Sequence, residues 1–323
     1  MQSPHVYHWP TTNPKAIIHI IHGMTEHGAR YEHFARALNN QGFGVYCPDV
    51  RGHGITAGSL ENVGFFAEKE GWKLVVNDAI EQTKNIKKSH PDIPVFILGH
   101  SMGSFIARSI AIASPKLVNG YILSATVGHP GWKGTVGKPL AKTLAFLFGK
   151  RKRIKFLTNT AFNGYNKRVE NVRTERDWLT RDEAIVDAYV NDPYCMQEFT
   201  AQFFYDLSKG LLEINKQENI NKVDKEEQVL MVYGEMDPAG EYGKGPKEVY
   251  GKYQKAGVND LEIIGFEGGR HEILNETNRE EVYTVITDWL NVRAKRKTYS
   301  EPVRKDKCGI DRESNPCGDA SDY

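Results

Sequence analysis

The chain has 323 residues, with 42 lysines and arginines against 41 aspartates and glutamates and a formal net charge of +1. That balance gives no electrostatic basis for binding nucleic acid, and a mean hydropathy of −0.52 without a long apolar run argues against a membrane-spanning chain. The length suits one large α/β domain or a domain carrying a sizeable insertion.

The opening MQSPHVYHWP lacks an apolar core flanked by basic residues, so no signal peptide is expected. Ala16 to Ile21 is a short apolar run ending at His22-Gly23, and Val45 to Cys47 is a second. Between them Phe34, Ala37 and Leu38 share one helical face that Gly42 terminates. Strand, helix, strand in this order predicts a parallel sheet. Trp72, Val75, Val76, Ala79, Ile80 and Ile86 form a helical stripe, with Lys84, Lys87 and Lys88 on the wet side.

Val95 to Phe105 reads VFILGHSMGSF, a buried strand followed by an amphipathic helix that Ser114-Pro115 ends. Gly99-His100-Ser101-Met102-Gly103 matches G-x-S-x-G, in which glycines leave room beside a serine on a strained strand-to-helix turn. Gly120 to Ser124 is a further strand, and the accumulated alternation predicts a doubly wound α/β fold.

From about 127 to 225 the alternation breaks. This region holds the basic run Lys150 to Lys155, read as a solvated helix face, and a short helix over Glu183 to Tyr189. Alternation resumes with the strand Val229 to Tyr233, a helix around Val249, Tyr250 and Tyr253, and the strand Leu261 to Phe266. A last helix follows, with an expected capping box at Thr277 to Glu280 and an apolar face of Val282, Val285, Ile286 and Trp289. The organisation is therefore a core in two parts, 1–126 and 226–296, an inserted segment 127–225, and a polar tail 297–323 read as disordered. Loops at the carboxyl ends of parallel strands surround the site, so the insertion is expected to roof Ser101.

A neutral serine needs a histidine base whose tautomer a carboxylate fixes. His271 stands on a glycine-rich loop directly after the last strand, and Asp237 holds the equivalent place after the preceding one, with Glu235 as a second candidate acid. Serine, aspartate, histidine is the chain order of α/β-hydrolases. His100 is expected to pack beneath the serine turn. The amides of Met24 and Met102 are expected to receive an oxyanion, and the charged residues of Asp49 to Gly54 to brace loops. Four cysteines, Cys47, Cys195, Cys308 and Cys317, form neither a disulfide framework nor a C-x-x-C pair, which suits a reducing cytoplasm and argues against a zinc site.

With these residues placed, the chain resembles the monoacylglycerol lipase and lysophospholipase group of α/β-hydrolases, grouped with serine aminopeptidases. The matching stretches are HGMTEHGARY (22–31), DVRGHG (49–54), GHSMGS (99–104), NDPYC (191–195), YGEMDPAGEYGKG (233–245) and GRHEILNE (269–276). The resemblance implies a triad of Ser101, Asp237 and His271, an oxyanion hole at Met24 and Met102, and Glu26 and Arg30 beside the pocket for the alcohol part. It implies a cap whose apolar face admits an acyl chain, and hydrolysis of a lipid ester. The serine mechanism requires no metal or organic cofactor, and the second reading of the basic run Lys150 to Lys155 is peripheral contact of the cap with an anionic membrane or micelle surface. A short-chain carboxylesterase and a ligand-binding receptor of the same fold are the rival readings. The group carries an additional strand before the segment matching Val6 to Pro10, and no role follows for Asp192 and Pro193.

Overall fold

The computed structural model describes residues 3–129 and 131–295, without the side chains of 131–135; the tail 297–323 lies outside the described residues. Seven strands form one sheet in the order β1-β3-β2-β4-β5-β6-β7. They are β1 (Val6–Trp9), β2 (Ala16–Ile21), β3 (Phe43–Pro48), β4 (Val95–His100), β5 (Gly120–Ser124), β6 (Gln228–Gly234) and β7 (Asp260–Phe266). Only β1 runs antiparallel, pairing Val6 with Pro48 and Trp9 with Val45.

The inner strands are buried on both sides, and alternation along each one sends its residues to two different cores. Ile17, Ile21, Val95, Ile97 and Tyr121 face one layer, and Ile18, Ile20, Phe96, Leu98 and Ile122 face the other. The first layer is closed by α2 (Gly71–Ser89), α3 (Met102–Ala113) and α9 (Lys244–Ala256), the second by α1 (Glu32–Asn40) and α10 (Arg279–Ala294). The doubly wound arrangement is as the sequence predicts.

Between β5 and β6 come α4 (Gly131–Phe148), α5 (Lys155–Phe162), α6 (Glu183–Asn191), α7 (Ala201–Ile214) and α8 (Gln217–Ile220). Phe203 and Ile214 of α7 join the first core layer, whereas Trp178, Leu179, Tyr189 and Cys195 form a separate small cluster.

Two local expectations are corrected. The run 150–155 is no helix face: Lys150 to Ile154 link α4 to α5, and three of the cations are anchored. Arg153 donates to the carbonyls of Leu60, Glu61 and Val63 and to Gln197, Arg151 to Glu68, and Lys150 to the Glu68 carbonyl. The box over Thr277 to Glu280 does not form either. The helix starts one residue later, behind Asn278, whose side chain makes no cap bond. Buried Glu276 has taken the Thr277 amide, which it accepts together with the amides of Arg270 and Arg181.

Candidate active site

Ser101 stands between β4 and α3 in a conformation (φ 51°, ψ −118°) that L-residues rarely adopt. The turn closes so tightly that a Cβ on Gly103 would lie 1.9 Å from the Ile21 carbonyl oxygen, and one on Gly99 2.4 Å from that of Gly103. The two glycines flanking the serine are therefore a steric requirement of the turn. Asp237 follows β6, and His271 follows β7.

These loops bring the three side chains together. Ser101 Oγ lies 3.0 Å from His271 Nε2, and His271 Nδ1 lies 2.9 Å from Asp237 Oδ2. A carboxylate can only accept, so Nδ1 carries the proton and Nε2 is left to accept from the serine hydroxyl. Asp237 is fully buried, and its other oxygen accepts from the Ala239 amide at 2.8 Å. Burial works against a charge on His271, but Asp237, through its charge and hydrogen bond, outweighs it and raises the imidazole above its ordinary pKa. Glu235, the second candidate acid, is exposed and makes no hydrogen bond to His271.

Met102 is the first residue of α3, where an amide has no partner within its helix. Among the described residues neither its N–H nor that of Met24 is taken by another group. The Met24 loop is fixed from above: Thr25, at φ 60°, donates its hydroxyl to the Met24 carbonyl and accepts from Tyr189 of α6 at 2.6 Å. His100 is buried 3.2 Å from Ser124 Oγ, but it does not lie beneath the turn: its ring stands 5.0 Å from that of His271 and lines the space over Ser101, and burial lowers its pKa to about 3. Asp49 braces loops, accepting from the amides of Gly28 and Ile55.

Glu26 and Arg30 sit beside the triad. Glu26 accepts from the Gly23 amide, from Tyr31 and from Arg30, and Arg30 also grips Glu272, the residue after His271. Sequence reasoning missed Glu272 and the roof residue Trp178, whose ring centroid lies 5.0 Å from that of His271. The Glu272 amide donates to the Leu179 carbonyl at 2.7 Å, which ties the histidine loop to the inserted segment. Gly23, Met24, Ser101, Phe162, Trp178 and Tyr189 are among the walls of a cavity of about 30 Å³ over the serine. A roomier one, about 570 Å³, lies between β2 and α2, by His19, Arg51 and Asp78.

A mostly parallel sheet with a strained serine turn at the end of its central strand, and with aspartate and histidine loops converging on that end, is an α/β-hydrolase fold. The chain belongs to the family described as serine aminopeptidase, S33, whose model matches residues 12–278. It is 30% identical over 189 residues to a monoglyceride lipase of Mus musculus, covering 58% of this chain and 54% of the mouse protein, so it spans about half the length of that relative. It is 25% identical over 284 residues to a monoacylglycerol lipase of Mycolicibacterium smegmatis, covering 87% and 90% of the two chains. A thermostable carboxyl esterase from Bacillus coagulans, solved in complex with glycerol, superposes with a TM-score of 0.82 at 27% identity, covering 91% of this chain and 100% of the esterase.

Proposed function

We propose that this protein is a serine carboxylic-ester hydrolase acting on monoacylglycerols or lysophospholipids through an acyl-enzyme on Ser101. The observation that carries the reading is the unbroken chain of hydrogen bonds from Ser101 through His271 to Asp237, beneath inserted helices. His271 takes the proton of Ser101 as its oxygen attacks the ester carbonyl, and Asp237 holds the resulting imidazolium. The amides of Met24 and Met102 receive the oxyanion, each worth about 3 to 4 kcal/mol in the transition state. His271 then returns the proton to the leaving alcohol, activates water in the second half-reaction and so frees the fatty acid.

In this reading the segment 127–225 is the cap, with α5, Trp178 and α6 as the roof and Glu26 and Arg30 beside the alcohol pocket. The names of the mouse and mycobacterial relatives support a monoacylglycerol as substrate. Contact with a lipid surface is supported by Phe146, Leu147, Phe148 and Phe156, all more than half exposed next to Lys150 and Lys152. None of the described helices is long and apolar enough to cross a membrane. The buried free thiols Cys47 and Cys195 support residence in a reducing compartment, with the cytoplasm as the assignment.

A short-chain carboxylesterase is the second reading, favoured by the small cavity and the similarity to the Bacillus coagulans esterase. One experiment tests both. The wild type and Ser101→Ala are labelled with a fluorophosphonate, and rates are compared on a C12 monoacylglycerol, a lysophospholipid, and C4 and C12 p-nitrophenyl esters. Labelling and turnover that vanish together in Ser101→Ala, with the C12 lipids preferred, support the proposal. A C4 preference supports the esterase, and undiminished turnover in Ser101→Ala removes the mechanism.

A further inference from the structure

The motif at 191–195 is not used by the chemistry above. Its turn is held by the Cys195 amide, which donates to the Asp192 carbonyl at 3.1 Å, and by the Tyr194 amide, which donates to Asp192 Oδ1 at 2.8 Å. The second carboxylate oxygen, Oδ2, is left facing His27 Nε2 at 2.8 Å. With Cys195 Sγ, one ligand atom from each of the three residues lies within 4.8 Å of the other two.

Imidazole, thiolate and carboxylate are the ligand types that zinc-class cations combine, at bond lengths of about 2.0 to 2.3 Å. Two ligands at that length on one tetrahedral ion stand roughly 3 to 4 Å apart. Here His27 Nε2 and Asp192 Oδ2 are 2.8 Å apart and the full set lies within 4.8 Å, so side-chain adjustments of about an ångström bring the three onto one ion. His27 and Cys195 are buried, which keeps competing water away, and the Asp192 side chain is 27% exposed, which gives a path of entry. The carboxylate is oriented in advance by the Tyr194 amide, the kind of outer support that metal ligands need.

We propose that His27, Asp192 and Cys195 form a binding site for a zinc-class divalent cation, with water as a fourth ligand. The ion fastens the His22–His27 loop, which carries Met24, to the turn at 192–195. On binding, Nε2 and Oδ2 direct lone pairs at the ion in place of their shared hydrogen bond. The imidazole proton moves to Nδ1, the thiol proton leaves to solvent, and no electron changes hands. Sequence spacing conceals the site, because 165 positions separate His27 from Asp192. The proposal stands independently of the ester-hydrolase reading.

The test uses the full chain carrying Cys308→Ser and Cys317→Ser, which removes the thiols of the tail, and cobalt(II) as the probe. The expected result is a thiolate-to-cobalt charge-transfer band in the near ultraviolet that zinc displaces, together with a zinc-dependent rise in melting temperature. Cys195→Ser removes the band, and Asp192→Asn, which keeps the thiol and the turn, weakens zinc binding by about tenfold or more. Should Cys195→Ser not fold, His27→Gln with the thiol intact gives the same reading through its loss of affinity. No band, or a band and an affinity indifferent to these substitutions, overturns the proposal. Ester turnover is not the readout, since a cation resting on His271 lowers it from another place.

Discussion

Arg30 holds Glu272 by a two-pronged grip, each guanidinium nitrogen donating to a different carboxylate oxygen at 2.7 Å, and its Nη1 reaches Glu26 as well at 2.9 Å. All three side chains are nearly buried. Burial works against the Glu272 charge, but Arg30 overcomes it and holds the carboxyl at about 2. Glu26, with the weaker share of the same cation, is pushed upward by its burial. Removing the cation leaves two carboxylates facing each other away from water, so Arg30→Met is expected to destabilise the fold by about 3 to 5 kcal/mol. Urea unfolding at pH 7 measures this; an unchanged midpoint would show that the grip contributes nothing to stability.

The imidazole of His271 must be neutral to act as a base, and Asp237 raises its pKa. The rate constant kcat/KM is therefore expected to climb with pH through an inflection above about 6.5. In Asp237→Asn burial stands unopposed, which moves the inflection below that value, and the wrong tautomer lowers kcat by about 10⁴. The stability linkage has the opposite sign to the activity. A raised folded-state value stabilises the protein fully below the unfolded pKa and is lost as pH rises through the folded one. The stability difference between wild type and His271→Gln is thus expected to be larger at pH 5.5 than at pH 9. A pH profile unaffected by Asp237→Asn contradicts the assignment.

The serine turn, the two partner loops and the sheet are legible in the sequence because each is written locally. Gly99 and Gly103 report the space the turn lacks, and the apolar runs before Asp237 and His271 report the strands that end there. What the sequence conceals is what distant segments impose. Nothing near Thr277 reveals that Arg181 of a remote segment holds Glu276 where it takes the Thr277 amide and forestalls the capping box, and nothing in the run 150–155 reveals that the 60–68 loop supplies carbonyls for Arg153 and Lys150. Likewise Trp178 and Tyr189 lie in a segment with no β/α rhythm, and only the fold brings them to His271 and Thr25.

His53 is a buried histidine caged by aromatics, 5.2 Å from Phe199 and 6.0 Å from both Phe66 and Phe203 between ring centres. Among the described residues its Nε2 has no partner, and burial holds its pKa at about 3. A base whose folded value is depressed binds its proton only on unfolding, so stability falls as pH drops from about 6.5 toward that value. His53→Phe removes the titration and suits the cage. It is expected to leave stability at pH 7 within about 1 kcal/mol of wild type, giving up one hydrogen bond, and to gain about 2 kcal/mol relative to wild type at pH 5. Paired urea titrations at the two pH values check this, and a difference that does not move with pH refutes it.

Phe146, at 87% exposure, and its neighbours Leu147 and Phe148 end α4 beside cations that are held in place by the 60–68 loop. If that patch meets lipid, a Phe146→Ser, Phe148→Ser double variant is expected to bind anionic vesicles about tenfold more weakly or worse, since each buried aromatic contributes roughly 1.5 to 3 kcal/mol. Its rate on a soluble C4 ester is expected to stay within about twofold of wild type. Vesicle co-sedimentation with unchanged partition rules the patch out as the contact.

The space over Ser101, about 30 Å³, is that of a single water molecule, whereas sites for drug-sized ligands run to about 300 to 1,000 Å³. Under the proposed function an acyl chain therefore enters only when this roof moves, and Phe162 is the lining residue most easily spared. It ends α5, is only partly buried, and packs on Trp178 with ring centres 5.6 Å apart and planes 29° from parallel. Trp178 itself is bound into the histidine loop, its carbonyl accepting from the His271 amide, so truncating it disturbs the base. Phe162→Ala opens the roof without touching that loop. The ratio of C12 to C4 ester turnover is expected to rise about fivefold, equivalent to about 1 kcal/mol less work in displacing the roof, with the C4 rate nearly constant. A fall in both rates together would instead make Phe162 a support for Trp178 and His271, and the opening would have to be sought elsewhere along 127–225.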